Sequence, residues 1–397
     1  MKPSVMKPSS VMKPSIKNIV ENDDILTFTL ANINVSLANA LRRTILSNIP
    51  TVVFKTTPYE ENKTTIYENT SRLNNEIIKQ RLSCIPIFIP ILDENNLETE
   101  KETGHLSEGV TAESLNDYYL ELDVSNDSDT IIYATTEDFK IKNIKTDKYL
   151  SKEETQKIFP PNPLTHYFID FIRLRPKITE KILGEKIHLT SLFSISTAKE
   201  NGMYNVVSTC SYGNTIDKKA FDTELSKQRN IWKNEGKDVE FESNNWKLLE
   251  GLRMYENNSF DFIIQTIGVY SNYELVQKAC TILINKFLYL TKLIDNDELI
   301  INISENTMKN SYDITLENED YTVGKVIEYL YYAKYYEGEE SLTFCGFKKF
   351  HPHDTNSIIR VAYKEAISDK VLIKQNLKSC VNDAIYIFDT IKSTFST

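Results

Sequence analysis

The sequence has no pair of cysteines at metal-ligand spacing. Its five cysteines, Cys84, Cys210, Cys280, Cys345 and Cys380, stand far apart, with neither a CxxC nor a Cys/His pair of zinc spacing. Cysteines scattered in this way fit a reducing compartment. No apolar run approaches the ~20 residues of a membrane-spanning helix. Positive charge is also short: 46 Lys+Arg face 56 Asp+Glu, a net charge of −10. That argues against autonomous duplex binding, which needs a dense basic face. GxxxxGK[ST], GxSxG and HExxH do not occur, nor does a clustered DFDGD-type set of magnesium-holding aspartates. The expectation is a chain without catalytic residues, metal ligands or cofactor.

Two local clusters of candidate ligands read better as turns. Asp123, Asp127 and Asp129 lie in DVSNDSD. An EF-hand loop opening at Asp123 would need Gly and Glu where Ser128 and Ala134 stand. His351 and His353 flank Pro352, and Cys345, the nearest thiol, leaves a zinc site one ligand short. The acidic run Glu337–Glu340 reads as a solvated turn. At the N-terminus MKPS occurs three times, from Met1, Met6 and Met12. Lys, Pro and Ser with little apolar content cannot form a core, so residues 1–17 are expected to be a disordered tail.

What is present centres on Val35–Pro50, VSLANALRRTILSNIP. Ser36 stands in a good N-cap position. Leu37, Leu41 and Ile45 then form one apolar stripe at helical spacing. Ala38 and Ala40 are small enough for another backbone to come close. Adjacent Arg42 and Arg43 point about 100° apart. Read alone, this is an amphipathic helix with two solvated arginines.

The pattern recurs. TLANINVSLANAL (Thr29–Leu41) aligns without gaps with TLENEDYTVGKVI (Thr315–Ile327) at one constant offset. Thr29 matches Thr315, Ser36 matches Thr322, Leu37 matches Val323, Ala38 matches Gly324 and Leu41 matches Ile327. Each copy reads as strand, polar turn, cap and helix start, and each is followed later by a long helix. Ser271–Leu290 carries Leu275, Ala279, Leu283, Phe287 and Leu290. Lys374–Phe395 carries Leu377, Val381, Ala384, Phe388, Ile391 and Phe395 at heptad-like spacing. Between the copies lie strand signals at Tyr118–Val124, Thr130–Thr135, Phe168–Arg173 and Ile187–Ile195. A charged, partly helix-forming stretch, Lys218–Glu250, follows, with Trp232 and Trp246 as anchors. The expected organisation is a first dimerisation unit (18–55 and 259–292), an inserted β-rich domain (56–258) and a second dimerisation unit (293–397).

VSLANALRRTILSNIP resembles the signature of the bacterial RNA polymerase alpha subunit and of the third-largest subunit of eukaryotic RNA polymerase II. ENTSRLNNEIIKQRLSCIPI (Glu68–Ile87) resembles the next motif of that family, with its Asn-Thr-Ser turn, Glu76, Arg81-Leu82 and Ile85-Pro86. Gly184–Tyr212 is similar to the family's inserted domain. ENEDYTVGKVIEYL, LTFCGFKKFHPH and IIRVAY resemble the eleventh subunit of the eukaryotic enzyme, the smaller partner of the third. Both on one polypeptide resemble the fused subunit of large nucleocytoplasmic DNA viruses.

The resemblance implies an α+β fold in which two alpha-type dimerisation units form an intramolecular pseudo-dimer, with one inserted β-rich domain. Its core would include Leu37, Leu41, Ile45, Leu283, Phe287, Val323, Ile327, Leu330 and Phe388. The implied function is that of a non-catalytic assembly platform of a DNA-directed RNA polymerase. Arg42, Arg43 and Asn39 would bind a partner, because in the alpha family the equivalent arginines lie where the platform meets the largest catalytic subunits. The second copy places Lys325, Glu328 and Tyr329 at those positions, so the two halves are expected to grip different surfaces. The first would hold the second-largest subunit and the second would approach the largest. The family also implies small zinc-binding subunits as partners, DNA contact only through the complex, and no membrane. Location would follow the polymerase: the host cytoplasm (viral factory) and virion if viral, the nucleus otherwise. The competing reading is a homodimeric, nucleic-acid-associated regulator built on the same fold.

Overall fold

The computed structural model describes residues 13–91, 106, 109–179, 183–367 and 369–396. The first twelve residues of the expected tail lie outside that range. In chain order the elements are β1 (Ser15–Asn22), β2 (Ile25–Ala31), α1 (Val35–Ser47), β3 (Pro50–Val53), β4 (Thr64–Asn69), α2 (Asn75–Ser83), α3 (Ala112–Leu115), β5 (Tyr118–Ser125), β6 (Ile132–Thr135), β7 (Lys140–Asn143), β8 (Lys148–Tyr149) and α4 (Lys152–Ile158). Then come β9 (Asp170–Leu174), β10 (Lys186–Leu192), β11 (Ser194–Thr197), β12 (Val207–Ile216), α5 (Lys218–Asn234), α6 (Val239–Leu248), β13 (Tyr255–Thr266) and α7 (Asn272–Asp295). The chain ends with β14 (Ile301–Ile303), β15 (Ser311–Leu316), α8 (Tyr321–Tyr331), β16 (Leu342–Lys348), β17 (Ser357–Tyr363) and α9 (Val371–Thr394).

These elements form two compact units. One comprises Met1–Leu46, Val207–Gln265 and Asn272–Thr397; the other comprises Ser47–Val206 and Thr266–Ser271. The first unit contains the repeat. One four-stranded sheet has the order β1-β2-β13-β12 and another the order β14-β15-β17-β16. β2 begins at Ile25 and β15 at Ser311, and α1 begins at Val35 and α8 at Tyr321. That is the offset joining Thr29 to Thr315, so the sequence repeat is a repeat of structure. Both turns before the helices use an asparagine with positive φ, 59° at Asn32 and 56° at Asn318, a conformation that asparagine tolerates better than most side chains.

Two expected boundaries move. Ser15, Ile16 and Lys17, assigned to the tail, pair with Ala31, Leu30 and Thr29 in β1. The strand was missed because its polar residues outnumber its apolar ones. Residues 207–258, assigned to the insert, belong to the first unit. β12 is the outer strand of the first sheet, the place β16 holds in the second. Between β12 and β13, where the second repeat has only a short loop, the first carries the α5–α6 hairpin. That hairpin has its own small core of Leu225, Trp232 and Trp246.

The two repeats meet through their long helices. α7 and α9 run antiparallel: Gln277 donates to the Phe395 carbonyl, Phe287 stacks on Phe388 at 6.1 Å, and Asp295 pairs with Lys378. Leu283, Phe287, Leu377, Val381 and Phe388 are fully buried. Each contributes about 1.5–3 kcal/mol of hydrophobic stabilisation. Phe28 of β2 stacks on Phe262 of β13 at 5.0 Å and meets Phe395 edge-on at 5.1 Å, tying the first sheet to the end of α9. In the second repeat, a Cβ on Gly324 would lie 2.0 Å from the Phe347 ring. The absent side chain lets β16 close on α8.

The second unit is β-rich. Its five-stranded sheet has the order β4-β10-β5-β7-β8, and β11-β3 and β6-β9 form two ribbons. Phe54, Phe139, Phe159, Phe171 and Phe193 pack in one core with Leu120, Leu122, Ile187 and Leu189. The Asn-Thr-Ser turn is a local device. Asn69 Oδ1 accepts from the Ser71 amide at 3.0 Å and the Ser71 hydroxyl at 2.6 Å. Its amide donates to the Leu73 carbonyl and to Asn75 Oδ1. The turn thereby leads the chain into α2, which Asn74 caps through the Ile77 amide.

Candidate partner interface

The candidate site lies on α1. Its cap is Asn34, not Ser36: Asn34 Oδ1 accepts from the Ser36 amide at 2.9 Å, and its carbonyl takes the Leu37 and Ala38 amides. Ser36 is therefore already in the first turn. Asp320, the aligned residue of the second repeat, caps α8 through the Thr322 amide. In both repeats the cap is the Asn or Asp two positions before the hydroxyl residue, so each helix begins earlier than the hydroxyl suggests.

Leu37, Leu41, Ile45, Leu283, Phe287, Val323, Ile327, Leu330 and Phe388 are all buried. The three polar residues take different positions. Asn39 Oδ1 accepts from Arg42 Nε at 3.0 Å and from Nη2 at 2.9 Å. This two-point contact one helical turn apart fixes the guanidinium plane on the half-buried helix surface. The remaining guanidinium N–H groups of Arg42 have no partner among the described residues. Arg43 turns the other way. Its Nη2 reaches Asp320 at 3.0 Å and its Nε reaches the Thr322 hydroxyl at 3.0 Å. The geometry thus joins Asn39 with Arg42 and sends Arg43 across to the second repeat.

The charge pattern differs at the equivalent places. Glu328, aligned with Arg42, pairs with Lys325, aligned with Asn39. Arg42 lies near Cys210 and Glu328 near Cys345, each cysteine on the outer strand of its own sheet. Burial pushes Cys210 up to about 12, with nearby Arg42 opposing. Burial also pushes Cys345 up to about 12, with Glu328 reinforcing and Lys325 opposing. One scaffold therefore carries an arginine held by a neutral amide on one repeat and a Lys-Glu ion pair at the matching positions of the other. Beside Arg42, Tyr212 of β12 packs on Phe260 and Phe262, each at 5.2 Å. These ring contacts join β12 to β13.

Sequence reasoning missed the partners of Arg43. The available signal was Asp320 itself, aligned with Asn34 and placed to cap. A second polar link between the repeats, Lys286 to both oxygens of Glu319 at 2.7 and 2.9 Å, had no local pattern to reveal it.

Over residues 27–287 the chain matches the RNA polymerase Rpb3/Rpb11 dimerisation domain. The match runs from β2 into α7, and α8 and α9 lie beyond it. The chain is 32% identical over 119 residues to DNA-directed RNA polymerase subunit Rpo3 of Pyrococcus furiosus, covering 30% of this chain and 38% of that one. It is 22% identical over 301 residues to subunit Rpo3 of Archaeoglobus fulgidus, covering 72% and 99%. It is 35% identical over 82 residues to subunit RPAC1 of DNA-directed RNA polymerases I and III of Mus musculus, covering 20% and 22%. For Rpo3 of Pyrococcus horikoshii, Rpo3 of P. furiosus and a conjugation stage-specific protein of Tetrahymena thermophila, the chain spans only 26%, 38% and 35% of their lengths. With its matched fold spanning most of its length, the chain belongs to the family of the RNA polymerase Rpb3/Rpb11 dimerisation domain.

Proposed function

We propose that the chain is a non-catalytic assembly subunit of a multisubunit DNA-directed RNA polymerase, joining the two largest subunits. The observation that carries this reading is the repeated fold with Arg42 on one copy and Glu328 on the other. A platform that must hold two different large partners needs two similar faces of different charge. The Asn39–Arg42 face grips the second-largest subunit, where a pre-oriented guanidinium takes a carboxylate or a carbonyl pair. The Lys325–Glu328 face approaches the largest subunit. Arg43 serves the pseudo-dimer through Asp320 and contributes to the grip by holding α1 in place.

On this reading the second repeat is the eleventh-subunit-like partner, carried on the same polypeptide as in the fused subunit of large nucleocytoplasmic DNA viruses. Fusion raises the effective concentration of the two halves, so their pairing does not depend on encounter. Small zinc-binding subunits dock on the same platform. The chain resides with its polymerase: in a viral factory of the host cytoplasm and the virion if viral, in the nucleus otherwise. The intramolecular α7–α9 seam disfavours a homodimeric regulator, because the apolar faces that would dimerise are already covered.

The test is a capture titration of the second-largest subunit against wild type, Arg42→Ala and Glu328→Ala. Losing one partner of a desolvated charged pair costs about 2–5 kcal/mol, tens- to thousands-fold in affinity. Arg42→Ala is expected to fall in that range and Glu328→Ala to have a smaller effect. Equal affinity for all three would remove this face from the interface. Light scattering on the isolated chain adds a second check, since an obligate homodimer would favour the regulator.

A further inference from the structure

The second unit carries an arginine-lined groove that the assembly reading does not use. Two cavities adjoin between α2 and β9. One, of about 330 Å³, is bounded by Arg81, Cys84, Ile85 and Phe171. The other, of about 310 Å³, is bounded by Arg72, Leu73, Tyr133, Arg173 and Glu185. Arg81, Asp170 and Phe171 line both, so the two form one depression with an apolar floor.

Its four arginines are not equivalent. Arg175 is taken by Glu185, whose carboxylate accepts its Nε at 2.5 Å and its backbone amide at 2.7 Å. Arg81 is half used: its Nε donates to the Phe171 carbonyl at 2.8 Å and its Nη2 to the Asp170 carbonyl at 2.9 Å. Those bonds occupy backbone acceptors of β9 and leave the outer N–H groups facing the depression. Arg72 and Arg173 are exposed and have no partner among the described residues. Arg173 stands directly across the ribbon from exposed Tyr133. Exposed guanidinium donors beside an apolar floor can take a carboxylate through paired N–H groups while the floor takes an apolar side chain.

We propose that this groove binds an extended acidic peptide segment of a partner protein, with carboxylates on Arg72, Arg173 and the outer face of Arg81. Side chains two apart on an extended peptide leave on the same side, about 7 Å from one another. Adjoining cavities suit such a pair, one apolar and one acidic. A nucleic-acid strand suits the groove less well. Asp170 and Glu185 stand in its wall, and the spare cations match one or two carboxylates rather than a run of phosphates. The proposal is independent of the α1 face and stands or falls without it.

The test uses the full chain and a fluorescein-labelled peptide of alternating glutamate and leucine, read by anisotropy at physiological salt. The comparison probes are its glutamine-for-glutamate version and an oligothymidylate of equal length. The variants are Arg72→Glu with Arg173→Glu and the milder Arg72→Gln with Arg173→Gln. The control is Lys140→Glu with Lys148→Glu, two exposed lysines on β7 and β8. The acidic peptide is expected to bind and the glutamine version not to. Charge reversal should weaken binding about tenfold or more, glutamine substitution should weaken it less, and the lysine control should leave it unchanged. Bound peptide should also slow alkylation of Cys84 in the cavity wall. Equal binding by wild type and both arginine variants, or failure of the acidic peptide to bind, would overturn the proposal. Tighter, arginine-dependent binding of the oligothymidylate would replace it with a nucleic-acid groove.

Discussion

The Arg43 guanidinium lies 3.0 Å from the Asp320 carboxylate, so a helix of the first repeat holds the start of the matching helix in the second. The other oxygen of Asp320 accepts from the Thr322 amide at 2.8 Å. One carboxylate therefore caps its own helix and binds its neighbour.

That double role makes an ordered prediction. The side chains of Arg43 and Asp320 are 39% and 29% exposed, so solvent screens the pair. Arg43→Ala should cost about 0.5–1 kcal/mol. Asp320→Asn, which keeps the cap, should cost about the same. Asp320→Ala loses cap and pair together and should cost about 1–2 kcal/mol. Urea unfolding midpoints would rank the three variants. Asp320→Ala no worse than Arg43→Ala would show that the cap contributes nothing.

The shared core should matter more to stability than this polar link. Phe388→Ala removes a ring stacked on Phe287 in a fully buried seam, which costs about 3–5 kcal/mol. Leu283→Asp would bury an unpaired charge there. A protease nick in the exposed turn at Asn296–Glu298 should leave wild-type halves together and release those of Leu283→Asp. Size-exclusion chromatography after nicking reads the result, and halves that stay equally associated would refute the seam's role.

Much of this architecture was legible because it rests on periodicity. The stripes Leu37-Leu41-Ile45 and Leu377-Val381-Phe388 announce helices that bury one face, and the gapless match of Thr29–Leu41 with Thr315–Ile327 announces the repeat. The long helices extend a few residues beyond their expected bounds, α7 to Asp295 and α9 from Val371; the added turns carry buried Ile294 and Ile373, so the apolar stripes run further than the expected ends. Three features were not legible. β1 is held by pairing with β2 rather than by its own composition. The α5–α6 hairpin interrupts β12 and β13, which hid their membership of the first sheet. The direction of Arg43 depends on how two distant segments pack, which no local pattern encodes.

Thiol reactivity follows from burial. Cys210, Cys280 and Cys380 are buried. Burial raises these thiols and that of half-buried Cys345 well above the ordinary value, so little thiolate forms near neutral pH. Cys84 is exposed. Brief iodoacetamide treatment of the folded chain at pH 8 should therefore modify Cys84 first, with the other four reacting only after denaturant is added. Peptide mass mapping would show the order. Rapid native labelling of Cys280, which faces Lys392 and Asp389 of α9, would mean that the α7–α9 seam opens readily.

The last prediction concerns acid. Arg360 binds Asp313 through two bonds, Nε to Oδ1 and Nη2 to Oδ2, each at 2.6 Å, joining β17 to β15. Burial works to raise the Asp313 carboxyl, but the Arg360 and Ser304 hydrogen bonds more than offset it, and the group lies below its ordinary 3.8. A carboxylate lowered by folding contributes stability above its unfolded value and loses it as pH falls through the folded value. Hydrogen bonds to charged groups contribute about 1.5–3 kcal/mol, so Asp313→Asn should destabilise the chain by about that much at pH 7. The penalty should hold down to about pH 4 and shrink at lower pH, as wild type loses the charge that the variant never had. Urea titrations of both proteins at pH 7, 5 and 3 give the difference directly. A penalty unchanged between pH 7 and 3 would mean that shape, not charge, makes Asp313 matter to the sheet.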